Sequence, residues 1–204
     1  MQSVKNYLFL VSVIALITLA GCAHYRAHPL KKLVTPPVKT THQAIAFSHH
    51  ALSKGECMLY LDRDVLAKGY QPVHITFTNN SKNYFTLSKE NFSLPYANSD
   101  DVAKLVHTNT AGRAAGYGVV GLFIWPFIIP AVVDGIGSSE ANHQLDADFA
   151  GKALRNQIVA PYSTVHGLIF VPKNEFDANF TMSVTNQETG TSYTLSSSKP
   201  EVKL

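Results

Sequence analysis

The spacing of apolar and polar positions changes period several times along the chain. CMLYLD (57–62) alternates. PVHITFTNN (72–80) puts Val73, Ile75 and Phe77 on one face and His74, Thr76 and Thr78 on the other, the period of two of a half-buried strand. NYFTLS (83–88), NFSLPY (91–96, with Pro95 at an end or edge) and VAKLVH (102–107) read as further short strands. Past residue 155 the pattern resumes in QIVAP, TVHGLIFVP, ANFTMSVTN and TSYTLSS, punctuated by Pro, Asn and the turn NQETG. About eight strands so spaced predict a mainly β chain folded as an antiparallel sandwich.

Two segments break this rhythm. SSEANHQLDADFAGKAL (138–154) places Ala141, Leu145, Phe149 and Ala153 four apart, which predicts an amphipathic helix over 139–154 capped by Ser138 or Ser139. Glu140, Asp146 and Asp148 lie toward its start and Lys152 and Arg155 at its end, an order that suits the helix dipole. Asp146 and Asp148, two apart, fall on different faces and read as solvated. The other segment, Ala114 to Val133, runs 20 residues without a charge. Gly116, Gly118 and Gly121 weaken a helix in its first half, and Pro126 and Pro130 break one in its second. Strands on both sides of it belong to one sandwich, so an even number of membrane crossings, or none, is required. A hairpin over 114–137, turning near Trp125-Pro126, meets that condition. Each arm of about 12 residues reaches ~18 Å, against a hydrocarbon core of ~30 Å. Such a hairpin either dips into one leaflet or contacts a partner through Tyr117, Leu122, Phe123, Trp125, Phe127 and Ile128, or packs over the sandwich as a second core layer; a true span is the remaining reading of the stretch.

The N-terminus carries a third apolar run. Lys5 is followed by Leu8–Leu19, 12 residues and too short to span a bilayer comfortably, and then by Leu19-Ala20-Gly21-Cys22. This resembles the lipobox of bacterial lipoproteins. The resemblance implies a signal peptide over 1–21, a diacylglyceryl group on the Cys22 sulfur, an N-acyl group on its amine, and membrane attachment by three chains, where one would bind only reversibly. Ala23 after the cysteine, in place of Asp, implies sorting to the outer membrane. Residues 22–53, with Pro29, Pro36 and Pro37 and scattered Lys and His, read as an extended tether.

Charge and cysteine content narrow the picture. The chain has 17 Lys and Arg against 14 Asp and Glu, with no long basic stripe, so nucleic-acid binding has no electrostatic footprint. With Cys22 acylated, Cys57 is the remaining thiol. An intramolecular disulfide is then excluded, and a buried structural thiol is the expected reading. The spacing of His42, His49 and His50 closes no metal site, and no cofactor or metal is implied.

IVAPYSTVHGLIFVP (158–172) and YQPVHITFTNNS (70–81) resemble strands of immunoglobulin-like domains in secreted bacterial proteins. The resemblance covers about a third of the mature chain and implies an immunoglobulin-like sandwich over 54–204, interrupted by an insertion at 112–155. The motifs GxSxG, HExxH and GxxxxGK[ST] are absent, and Cys57 has no evident His partner in sequence. His107, Asp134, Glu140 and His143, which flank the insertion, are the remaining polar candidates. The expectation is a non-enzymatic lipid-anchored envelope protein whose hairpin touches membrane or an envelope protein partner. The alternative is a periplasmic binding or chaperone-like module using a sandwich edge or groove.

Overall fold

The computed structural model describes residues 24–30, 44–108 and 128–197, with side chains in the last segment from residue 139 onward. By its internal contacts the chain divides into two compact units, Met1–Arg26 with His107–Leu145, and Ala27–Val106 with Asp146–Leu204.

All the described strands lie in the second unit. They are β1 (Ile45–Ala51), β2 (Tyr70–Asn79), β3 (Phe85–Phe92), β4 (Gln157–Val159), β5 (Thr164–Pro172), β6 (Thr181–Asn186) and β7 (Ser192–Ser196). They form two antiparallel sheets, ordered β1-β2-β5 and β4-β3-β6-β7. Three helices are described: α1 (Lys54–Leu61), α2 (Ser99–Leu105) and α3 (Ile128–Lys152), the last running from the first unit into the second. The protein is thus mainly β.

One core joins the sheets. Ile45 and Phe47 of β1, Val73, Ile75 and Phe77 of β2, and Ile169 and Val171 of β5 cluster with Phe85 and Leu87 of β3, Val159 of β4, Met182 and Val184 of β6, and Leu195 of β7. Each side contributes alternate residues, as the period of two requires. Aromatic rings bridge the sheets edge to face, Phe77 with Phe85 at 6.2 Å and Phe47 with Phe180 at 5.7 Å between centroids. Both sheets mix strands from before and after residues 109–127: β2 pairs with β5, and β3 with β4 and β6.

The β1-β2-β5 sheet is also buried on its outer face, where His74, Leu168 and Phe170 are nearly inaccessible. Phe149 of α3 stacks on Phe170, with centroids 5.5 Å apart and planes 5° from parallel. The chain then turns from α3 onto β5 at very short range. Leu154 N–H donates to Leu168 O, and a Cβ at Gly167 would stand 2.6 Å from Leu154 Cα. Only glycine leaves room for that approach.

Several expectations need correction. CMLYLD is not a strand: Ser53 and Glu56 form a capping box, and residues 54–61 are helical with Cys57 and Leu61 turned inward. Residues 102–105 of VAKLVH are likewise helical in α2, where Asn98 accepts from Asp100 N–H and Asp100 and Asp101 occupy the first turn. NYFTLS and the first two residues of NFSLPY, Asn91 and Phe92, fall in one strand, β3, whose register slips between Leu87 and Phe92, and residues 93–96 lie beyond it. The tether reading of 22–53 fails from Ile45 onward, because β1 pairs with β2 along its whole length. The helix expected at 139–154 begins at Ile128, so Ser138 and Ser139 are interior residues and the first turn holds no acid. Pro130 is the third residue of α3, where an N–H has no acceptor within the helix, so it starts the helix rather than breaking it. The second arm of the expected hairpin is therefore the opening of α3. Residues 114–127 lie outside the described residues. Among the described residues no helix is long and apolar enough to cross a membrane.

Candidate functional site

Three histidines line up on the outer face of the β1-β2-β5 sheet. His50 of β1 stands opposite His74 of β2 in register, and His166 of β5, opposite Thr76, is the diagonal neighbour of His74. His74 Nε2 and His166 Nδ1 are 3.3 Å apart, one donating and the other accepting according to tautomer. His74 is 2% exposed. Burial first, then the neighbouring His166 and His50, push it down to about 4, so it is neutral at physiological pH. At the end of the row His50 Nε2 meets Glu56 Oε1 at 2.8 Å. Burial would raise the Glu56 carboxyl, but hydrogen bonds from the Ser53 backbone and hydroxyl and from His50 outweigh it and hold it below its ordinary value.

A cavity of about 390 Å³ opens at His166, lined also by Ala27, Pro29, Leu30, Asp148, Gly151 and Lys152. That volume is in the range of small-molecule sites. Lys152 is its cation. Its ammonium donates to Asp148 Oδ2 at 2.5 Å and to Tyr60 O at 2.6 Å. Tyr60 is one of the last four residues of α1, whose carbonyls have no partner within the helix. Of the other carbonyls at that end, Met58 O takes the last i→i−4 bond of the ladder from Asp62 N–H, with Asp62 left-handed at φ 50°, and Leu59 O is met from outside by His28 N–H at 2.9 Å. The end of α1 thus gathers a lysine, favoured at that pole of the dipole, and the segment through His28. Chemically the cavity offers one cation already paired with a carboxylate, and an imidazole. It can seat a small polar molecule.

Cys57 is fully buried in α1. Burial first, then the carboxylates of Asp64 and Glu56, push its thiol up to about 12, so it is protonated and inert as a nucleophile. Its burial agrees with the sequence reading, although the element does not. Among the described residues, no group of three or more His, Cys, Asp or Glu is placed to hold a metal ion.

Of the residues singled out in sequence, Cys22, Tyr117, Leu122, Phe123, Trp125 and Phe127 lie outside the described residues. Ile128 and Asp134 are within α3, before its described side chains begin. Glu140 accepts from Gln144 one turn on, His143 is exposed, and His107 is half-buried. Asp148 is an ion-pair partner of Lys152 rather than a solvated residue. His49 faces the core side of β1, ringed by Phe47 and Phe180, with its Nδ1 buried and unpartnered. The row His50–His74–His166 was not evident in sequence. Its signal is a histidine at an outward position of each strand, which only the register brings together.

Comparison with known protein families, curated proteins and solved structures found no match to this chain.

Proposed function

We propose that the chain is a non-enzymatic, lipid-anchored envelope protein, fixed to the outer membrane through acyl groups on Cys22. On this reading its strand-rich body is an interaction component, and the apolar stretch at 114–133 is a second contact to membrane or to an envelope protein. The observation that carries the second contact is the strand mixing. Strands from both sides of the stretch share both sheets, so the loop leaves and returns to one body, on one side of a bilayer. The lipobox supplies the anchor.

The finer fold reading is an immunoglobulin-like sandwich. Supporting it, the seven described strands divide three and four, with first, second and fifth on one sheet and third, sixth and seventh on the other. The fourth strand edges the second sheet instead of the first. At three residues it is the shortest of the described strands.

The test is fractionation with mass analysis of the N-terminal peptide. Wild type carries acyl mass on Cys22 and stays with membranes through a high-salt wash. Cys22→Ser loses the acyl mass but keeps a weaker association, which deletion of 114–127 removes. A Cys22→Ser protein that is fully soluble ends the membrane version of the second contact. The cavity beside Lys152 and His166 favours the alternative, a periplasmic binding module, and a small molecule found by mass spectrometry in the native protein would support it.

A further inference from the structure

On the lipid-anchor reading, few residues separate Cys22 from the first fastened point of the chain. The expected tether is fastened near its start: His28, six residues after Cys22, is bonded through its N–H to Leu59 O of α1 at 2.9 Å. Six residues of fully extended chain span at most ~22 Å. A folded body of the size of the second unit is about 40 Å across. A reach of about half the body's width does not allow the end of α1 to be turned away from the surface to which Cys22 is fixed.

What α1 presents there is apolar. Met58 is 45% exposed and Leu59 40% exposed, while Cys57 and Leu61 on the opposite side of the same helix are buried. Gly55, on the exposed side with them, adds no side chain that would hold lipid off. The adjoining sequence from Ala23 to Leu33 holds Arg26, Lys31 and Lys32 and no acid, a charge balance that suits anionic headgroups.

We infer that the exposed face of α1, through Met58 and Leu59, docks on the anionic lipid surface in which the Cys22 acyl chains are embedded. The inference rests on the lipid-anchor reading above. Two exposed apolar side chains bind a bilayer feebly when free in solution. With the anchor within ~22 Å, their effective concentration at the surface is millimolar or higher, and a feeble contact becomes populated.

The experiment uses the full chain, produced in a lipoprotein-processing bacterium and reconstituted in vesicles of phosphatidylethanolamine and phosphatidylglycerol. Met58→Cys and, separately, Leu59→Cys carry an environment-sensitive fluorophore, which spares the buried Cys57. Ile158→Cys, at a 59% exposed position on the far sheet, is the control. Thermal unfolding by circular dichroism establishes that each labelled protein is folded, and the Cys22 peptide is weighed in the same samples. The expected result is acyl mass on Cys22, with a blue shift and several-fold greater quenching by spin-labelled lipid at 58 or 59 than at 158. Acyl mass with labels at 58 and 59 as water-exposed as that at 158 overturns the docking inference and leaves the anchor standing. Absence of acyl mass overturns both.

Discussion

His74 is held neutral in the folded protein by its surroundings. Its pKa falls from an ordinary value near 6.5 to about 4, while the unfolded chain titrates at the ordinary value. Between these values the unfolded state binds a proton that the native state refuses. Stability is therefore complete above about pH 6.5, declines as the pH falls, and loses nothing further to this residue below about 4. For one group the slope approaches about 1.4 kcal/mol per pH unit. His49, lowered by burial and then by His50, acts in the same direction. Glu56 and Asp64, whose folded values are lowered, lose their contributions only at more acid pH, so pH 5 to 6.5 isolates the histidines. Urea midpoints across that interval should fall steeply for wild type. They should fall less steeply for His74→Gln, by up to one proton's worth of slope, although the variant starts less stable at pH 7. Parallel slopes for the two proteins would mean that His74 is not the residue refusing the proton.

At the scale of elements, the meeting of α3 with β5 depends on one missing side chain. Gly167→Ala would drive a Cβ into Leu154 Cα at 2.6 Å, and the Leu154 backbone is hydrogen-bonded in place to Leu168 O, next to Gly167. The expected cost is about 1–3 kcal/mol, as for other overpacked sites, measured as a drop in the urea midpoint. Gly55→Ala, exposed in α1 with nothing within 4 Å of the new methyl, should instead gain about 0.5–1 kcal/mol from helix propensity. Opposite signs for the two substitutions separate steric approach from propensity. This scale is also where sequence and structure diverge. Alternation identified β2, β5, β6 and β7 because each packs apolar residues on the shared core and its turns are marked by Asn, Pro and Gly. It misassigned residues 57–62 and 102–107, because six residues of mixed polarity fit either period. There the deciding signal was the cap, Ser53-x-x-Glu56 in one and Asn98 before two aspartates in the other. The start of α3 was hidden by reading Pro130 as an interior residue. Of the candidate site, Lys152 was legible as a helix-end cation. The histidine row was not, since it joins β1, β2 and β5 across more than a hundred residues and exists only once the register is set.

For the whole molecule, the shared core makes a prediction about a single thiol. Cys57 is inert in the native state for two reasons: no reagent can reach it, and its proton is held to about pH 12. Its helix is fastened to the sheets by Leu52 N–H on Pro72 O and by His50 on Glu56, and to the end of α3 by Lys152 on Tyr60 O. Opening α1 alone would strand those partners, so exposure of Cys57 should require the cooperative loss of both sheets. A disulfide reagent at pH 8 should then find no reactive thiol in the acylated native protein and one in denaturant. The logarithm of the labelling rate should rise with urea at the slope of global unfolding. A shallower slope would show α1 opening by itself. That result would also weaken the case for α1 as a rigid docking face, since the helix that carries Met58 and Leu59 would be loose on the body. A second, fast-reacting thiol in the native protein would be Cys22 with its sulfur free, and the thioether to lipid would then be absent.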